Sequence, residues 1–151
     1  MTETPETRSG ACYCGKVRAR VSGAPVSTGW CHCRSCRRWH GAPMIVWGAW
    51  ASDNVEIVGD VRHSTADPGS ERLVCASCGG AVANRKPAWG VTLFYGDFFD
   101  GPPLKPDHHV HYGERIYAMA DGLPKFVDLP ARLGGGGAMA AEPAATGFAE
   151  T

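Results

Sequence analysis

The sequence has no excess charge of either sign and no long hydrophobic run. Its 15 Lys and Arg residues balance 15 Asp and Glu residues, so the formal net charge at pH 7 is zero. A neutral chain without a basic tail is not expected to attract nucleic acid or an anionic membrane by charge alone. The longest apolar runs are also too short for a membrane-spanning helix. We therefore expect neither a nucleic-acid partner nor a membrane partner.

The first ten residues lack the apolar stretch of a signal peptide, because Thr2, Glu3, Pro5 and Arg8 interrupt them. This absence predicts a cytoplasmic protein, where thiols are kept reduced. The seven cysteines are therefore expected to bind metal and not to form disulfides.

Helical periodicity is almost absent, and only residues 34–39 suggest one helical turn. Alternating or bulky apolar segments instead predict a mainly β protein. The predicted strands cover residues 16–22, 44–50, Val55–Val58, Val61–Ser64, 72–75, 91–95, 109–112 and 116–119. Gly59 and Asp60 separate two of them and predict a hairpin there.

Composition divides the chain into three parts. Residues 1–9 are predicted to be a short N-terminal arm, and residues 10–130 a single zinc domain. Residues 131–151 contain four consecutive glycines followed by an Ala-rich stretch, which buries too little surface to offset its ordering entropy. We predict a flexible tail over residues 131–151.

The cysteines carry the main functional signal because of their spacing. In extended chain, residues i and i+2 point to the same face, so each CxC segment can present two sulfurs to one ion. A CxxC segment followed by glycine is typical of a zinc knuckle. The three groups are Cys12 with Cys14; Cys31, Cys33 and Cys36; and Cys75 with Cys78.

Two zinc ions per chain are predicted from these groups. Pairing Cys75 and Cys78 with Cys12 and Cys14 gives a closed structural site of four thiolates. Cys31, Cys33 and Cys36 are then left with an open fourth position, as in catalytic zinc sites.

Two alternatives stay open on spacing alone. The knuckle could pair with Cys31 and Cys33, and either His32 or His40 could close the second site.

Other polar residues surround the central cysteines. Arg34, Arg37 and Arg38 could bind carboxylates of a substrate through bidentate hydrogen bonds, and Trp39 could line a pocket. Three further histidines, His108, His109 and His111, are candidates for proton transfer. Residues 121–126 are interpreted as a turn without chemistry.

At these residues the sequence resembles the glutathione-dependent formaldehyde-activating enzyme (Gfa) and centromere protein V family, over roughly residues 10–130. The matching segments are CYCGKV, CHCRSCRR and CASCG, which contain the three cysteine groups, and later PDHH and DGLPKF.

The resemblance implies the first partition of the cysteines, with catalytic zinc on Cys31, Cys33 and Cys36. It also implies an Mss4-like (β-tent) fold of twisted antiparallel sheets with little helix. The implied activity is that of a carbon-sulfur lyase, which condenses formaldehyde with a thiol such as glutathione to S-hydroxymethylglutathione. The alternative hypothesis is a non-enzymatic zinc module that binds a protein partner.

Overall fold

The protein is mainly β, as the sequence predicts. A computed structural model describes residues 6–149, which form twelve short strands and one α helix. The strands are β1 (Thr7–Ala11), β2 (Arg18–Ser22), β3 (Ser27–Cys31), β4 (Ile45–Ala51), β5 (Val55–Val58), β6 (Val61–Ser64), β7 (Glu71–Cys75), β8 (Ala81–Lys86), β9 (Val91–Tyr95), β10 (His109–Val110), β11 (Tyr117–Ala118) and β12 (Gly147–Phe148). The helix is α1 (Arg34–His40), and 3-10 turns lie at Ser52–Asn54, Pro87–Trp89, Tyr112–Glu114 and Ala131–Leu133.

The chain divides into two compact units. The first contains Met1–Ser27 and Gly48–Leu104, and the second contains Thr28–Trp47 and Lys105–Thr151. None of the helices within residues 6–149 has the length and apolar character needed to cross a membrane.

The first unit contains two groups of antiparallel strands. β2 lies between β1 and β5, while β6, β7, β8 and β9 pair in sequence order. Along β2 the alternation predicted from the sequence is confirmed, because Ala19 and Val21 are buried whereas Arg18 and Arg20 are exposed.

Three aromatic side chains form the centre of the first unit's core. Trp50 and Phe94 are fully buried, and Phe99 packs against both at ring-centroid distances of 5.3 and 4.8 Å. The indole N–H of Trp50 donates to the carbonyl of Gly23 at 3.0 Å, so its one polar group is satisfied. Two cysteines, Cys12 and Cys75, belong to the same core cluster, which ties the metal-binding residues to it.

The second unit is built around β3 and α1. β3 pairs in parallel with β10, so Trp30 lies opposite His109 and Cys31 opposite Val110. This parallel pair shows that the strands are not all antiparallel. Later in the chain β11 pairs with β12 in antiparallel fashion.

The hairpin predicted around Gly59 is wrong. β5 pairs with β2 and β6 pairs with β7, so the two strands belong to different sheets. The backbone at Gly59 has φ of 123°, and a Cβ there would lie 2.6 Å from the carbonyl oxygen of Lys16. Close approach to another segment, and not a two-residue turn, therefore explains the glycine.

Four strands have no counterpart among the predictions: β1, β3, β8 and β12. The predicted N-terminal arm is described only from residue 6, and its residues 7–9 belong to β1. The tail predicted to be flexible is described to residue 149, and it contributes β12. Residues 1–5 and 150–151 lie outside the described residues. The flexibility of the tail stays a prediction.

Replacing Gly10 by alanine tests the packing of β1. An added Cβ would lie 2.0 Å from the carbonyl oxygen of Phe98 and 2.7 Å from the Cα of Phe99, both backbone atoms that cannot turn away. We expect Gly10→Ala to lower the free energy of unfolding by about 3 kcal/mol, the upper end of ordinary overpacking. Urea denaturation measures this change in the free energy of unfolding. Gly147→Ala is the control, since a Cβ there meets no atom within 4 Å; equal effects of both would contradict this packing.

Candidate metal centres

The first unit brings four cysteine sulfurs together. Cys12, Cys14, Cys75 and Cys78 each offer a sulfur, and these atoms all lie within 4.8 Å of one another. The sulfur of Cys14 is 3.7 Å from that of Cys12 and 3.8 Å from that of Cys75. Zinc–sulfur bonds of 2.3 Å in a tetrahedron separate the sulfurs by about 3.8 Å. The cluster therefore has the donor set and the dimensions of a tetrahedral thiolate site.

Two tight turns produce this geometry. After Cys12 the chain turns at Gly15, which has φ of 80° and donates its N–H to the carbonyl of Cys12 at 2.9 Å. After Cys75 it turns at Gly79, which has φ of 72° and donates to the carbonyl of Cys75, also at 2.9 Å. Glycine suits both positions because it adopts positive φ without steric cost.

Backbone N–H groups point at the sulfurs of this cluster. Val17 donates to the sulfur of Cys12 at 3.3 Å, and Gly80 donates to that of Cys78 at 3.4 Å. Burial opposes ionisation of Cys12, but the Val17 bond and the neighbouring thiols outweigh it and lower the pKa of Cys12 to about 6. Such donors stabilise thiolates, the form that binds a metal.

The second unit brings three cysteine sulfurs together. Cys31 ends β3, Cys33 is the N-cap of α1, and Cys36 lies in the first turn of that helix. Their sulfurs also lie within 4.8 Å of one another. Of the histidines, cysteines and carboxylates within residues 6–149, no fourth belongs to this set.

The helix start shapes this second cluster. The backbone N–H of Cys36 donates to the sulfur of Cys33 at 3.3 Å, so the capping group is a candidate metal ligand. Hydrogen bonds with the thiols of Cys33 and Cys36, together with burial, raise the pKa of Cys31 well above its usual range. Three sulfurs at this spacing do not all ionise without a cation, and a bound metal would supply the missing charge.

The grouping of the sulfurs is the one that the family resemblance implies. Both clusters could hold metal ions. Neither His32 nor His40 contributes a nitrogen to the three-cysteine set.

The arginines predicted to bind substrate lie in two different environments. Arg34 and Arg38 are exposed one helical turn apart on α1. Arg37 instead donates from Nε to the carbonyl of His32 at 3.0 Å and from Nη2 to the carbonyl of Glu114 at 3.0 Å. Two nitrogens of its guanidinium are thereby bonded to backbone carbonyls. Trp39 is partly buried on the same helix.

Sequence reasoning missed a buried polar network beside the second cluster. The Nε2 of His32 lies 2.9 Å from the Nδ1 of His109, and the Nε2 of His109 lies 2.9 Å from Oδ2 of Asp121. Lys125 donates to Oδ1 of Asp121 at 2.8 Å and to Oε2 of Glu142 at 2.7 Å. His32 and His109 have no exposed surface, and Lys125 is 1% exposed.

Segments distant in sequence assemble this network, which explains why it was missed. Residues 121–126 were interpreted as a turn without chemistry, yet they supply Asp121 and Lys125. The signals in the sequence are His109, a candidate for proton transfer, and the oppositely charged Asp121 and Lys125, four positions apart.

The charged groups of this network stabilise one another in their ionised forms. Burial opposes the charge on Lys125, but Asp121 and Glu142 outweigh it and raise the pKa of Lys125. Burial likewise opposes ionisation of Asp121, whereas bonds from Lys125 and His109 lower the pKa of Asp121. The two carboxylates and the ammonium are therefore all ionised at neutral pH.

The chain is similar to known proteins over the segment that contains all seven cysteines. A sequence model described as glutathione-dependent formaldehyde-activating enzyme matches residues 7–114, and the chain therefore belongs to that family. A curated protein of Halomonas elongata, named "Putative glutathione-dependent formaldehyde-activating enzyme", is 25% identical over 134 residues. That alignment covers 82% of this chain and 81% of the relative.

Replacing Arg37 by lysine tests its attachment to the backbone. A lysine cannot reach two carbonyls with a planar fork, so Arg37→Lys should lower the free energy of unfolding by about 1 to 2 kcal/mol. Thermal denaturation followed by circular dichroism measures the change. Arg38→Lys on the same helix is the matched control and should leave the midpoint unchanged; equal shifts would show that Arg37 has no special role.

Proposed function

We propose that the protein is a zinc-dependent enzyme of the carbon-sulfur lyase type that acts on a thiol adduct. The reaction is the condensation of formaldehyde with a thiol such as glutathione to S-hydroxymethylglutathione. The observation that carries this proposal is the three-sulfur set of Cys31, Cys33 and Cys36, which no further histidine, cysteine or carboxylate within residues 6–149 joins. Family membership over residues 7–114 supports the same reaction.

The two clusters take different roles in this proposal. Cys12, Cys14, Cys75 and Cys78 hold a structural zinc ion, because four protein ligands close a tetrahedral site. Cys31, Cys33 and Cys36 hold a second zinc ion, with room for one exchangeable ligand. Zinc bound there would favour the thiolate form of a substrate thiol near neutral pH.

The chemical step needs little from the protein beyond binding and orientation. The substrate sulfur forms a bond to the formaldehyde carbon, and the carbonyl oxygen takes up the proton that the thiol has released. Arg34 and Arg38 are exposed near the start and end of α1, where they can bind carboxylates of a peptide thiol. We give Arg37 no part in this role, because its Nε and Nη2 already donate to two backbone carbonyls.

The reduced cysteines also bear on location. Seven cysteines that serve as thiolate ligands in two clusters fit a reducing compartment, where thiols are not oxidised to disulfides. This agreement supports a cytoplasmic location.

The activity is tested directly with zinc-loaded protein, formaldehyde and a thiol. We expect adduct formation, followed by NMR exchange between free and bound formaldehyde, to be faster than in the protein-free mixture. Glutathione should react faster than 2-mercaptoethanol, which has no carboxylate for Arg34 or Arg38 to bind. Rates equal to the protein-free mixture with both thiols would reject the proposal, and would favour a non-enzymatic zinc module.

The division of roles is tested by two matched cysteine variants. Cys36→Ser should reduce the zinc content from about two to about one per chain and abolish the activity, while the protein stays folded. Cys78→Ser should unfold the first unit, because it removes a ligand from the closed site. Metal analysis and circular dichroism report the two effects. Unfolding by both variants, or by neither, would contradict the assignment.

A further inference from the structure

His32 lies between two candidate metal ligands, yet its side chain belongs to a different environment. The sulfurs of Cys31 and Cys33 lie within 4.8 Å of each other. The imidazole of His32 instead packs edge-on against the ring of Tyr112, with 4.9 Å between the ring centroids and 82° between the ring planes. It is fully buried. This is the arrangement expected when alternate side chains of an extended segment point to opposite faces.

Nearly every polar group of His32 is held by a hydrogen bond. Its backbone N–H donates to the carbonyl of Val110 at 3.1 Å, and its carbonyl accepts from Arg37 at 3.0 Å. Its Nε2 lies 2.9 Å from the Nδ1 of His109. The remaining nitrogen, Nδ1, is buried without a hydrogen-bond partner in the described part of the chain.

The carboxylate of Asp121 sets the direction of the hydrogen bonds. An ionised carboxylate can only accept, so the Nε2 of His109 carries a proton and donates it. A neutral His109 then has a bare Nδ1, which accepts from the Nε2–H of His32. The Nδ1 of His32 is consequently left without a proton, so neither of the two imidazoles buries an N–H donor without an acceptor.

Both imidazoles are neutral in this environment. A second proton on His32 would leave its Nδ1–H buried without an acceptor, and a second proton on His109 would force the proton of His32 onto that same nitrogen. Burial also lowers the pKa of His109, although Asp121 acts in the opposite direction. Asp121 therefore determines which nitrogen of each imidazole carries the proton.

Asp121 itself is fixed in orientation. Its Oδ1 accepts from Lys125 at 2.8 Å and from the backbone N–H of Leu123 at 3.1 Å. Its Oδ2 is the oxygen nearer to Nε2 of His109, at 2.9 Å against 3.2 Å for Oδ1. Lys125 is held in turn by Glu142, from the C-terminal segment.

We propose that His109 and Asp121 are positioning residues for the three-cysteine cluster. They set the tautomer and the ring orientation of His32, and so hold the backbone that carries Cys31 and Cys33. The consequence for metal binding rests on the proposed function, in which these cysteines bind zinc. The positioning itself concerns the protein alone.

The variant Asp121→Asn tests this assignment because it reverses the proton order. Lys125 and Leu123 both donate to the Oδ1 position, so the amide oxygen should occupy it. The NH2 group then takes the Oδ2 position, which is the nearer of the two to Nε2 of His109, at 2.9 Å against 3.2 Å. The Nε2 of His109 would then accept, its Nδ1 would donate to His32, and the buried Nδ1 of His32 would become protonated. An N–H donor without an acceptor would be buried beside Cys31 and Cys33, which should loosen the cluster.

Nitrogen-15 NMR of the histidine rings reads the tautomers directly, in zinc-free and zinc-loaded protein. In the wild type we expect a bare Nδ1 and a protonated Nε2 on both His32 and His109. In Asp121→Asn we expect both to be reversed. Glu142→Gln is the matched control, since it also removes one negative charge from the network but leaves the bond from His109 to Asp121, and its tautomers should be those of the wild type.

Zinc affinity of the three-cysteine cluster is the second measurement, by competition with a chromophoric chelator after the four-cysteine cluster is loaded. We expect Asp121→Asn to weaken it by at least about tenfold, as loss of an outer hydrogen-bond partner does at metal sites. Glu142→Gln should change it by less than about threefold.

The two readouts separate the two proposals. Wild-type tautomers in Asp121→Asn, or reversed tautomers with unchanged zinc affinity, would overturn the positioning role. Wild-type protein that binds only one zinc ion would overturn the proposed function, while the tautomers of zinc-free protein would still decide the assignment of His109 and Asp121.

Discussion

The close packing of cysteine sulfurs is the constraint on which both candidate sites depend. Sulfurs that lie within 4.8 Å of one another cannot all carry a negative charge unless a cation lies between them, and as neutral thiols they make only weak hydrogen bonds. Each unit contains one such set, and each set is held by local backbone geometry. Glycine turns shape the first set, and the start of a helix shapes the second.

The two clusters differ in their connection to the surrounding protein. Cys12 and Cys75 are part of the apolar core of the first unit, next to side chains such as Val17 and Leu73. Cys31 and Cys33 flank a histidine that is embedded in a polar network of the second unit. Apolar packing thus supports the four-cysteine set, and directed hydrogen bonds support the three-cysteine set. Directed bonds specify orientation more narrowly than apolar contacts do, which suits the substrate-binding role that we propose for the three-cysteine set.

The parallel pairing of β3 with β10 makes this second arrangement possible. It places Trp30 opposite His109 and Cys31 opposite Val110, so that His32 meets His109 across the pair. The family match ends at residue 114, whereas Asp121, Lys125 and Glu142 follow it. The segment after the match therefore supplies the charged half of the network, and β12 attaches the end of that segment to β11.

The sequence by itself determined the chemistry of the clusters and the mainly β class. Cysteine spacing is a local property, and a CxC or a CxxC followed by glycine limits where its sulfurs can point. The alternation along β2 is local in the same way.

Only the tertiary structure decided which segments meet. β5 and β6 belong to different sheets, and β3 pairs with β10 in parallel. Arg37 donates to two backbone carbonyls, and His109 links His32 to Asp121 by hydrogen bonds. The contacts of Arg37 with Glu114 and of His32 with His109 join residues 77 positions apart. Such pairings depend on the packing of the whole unit, which no local pattern encodes.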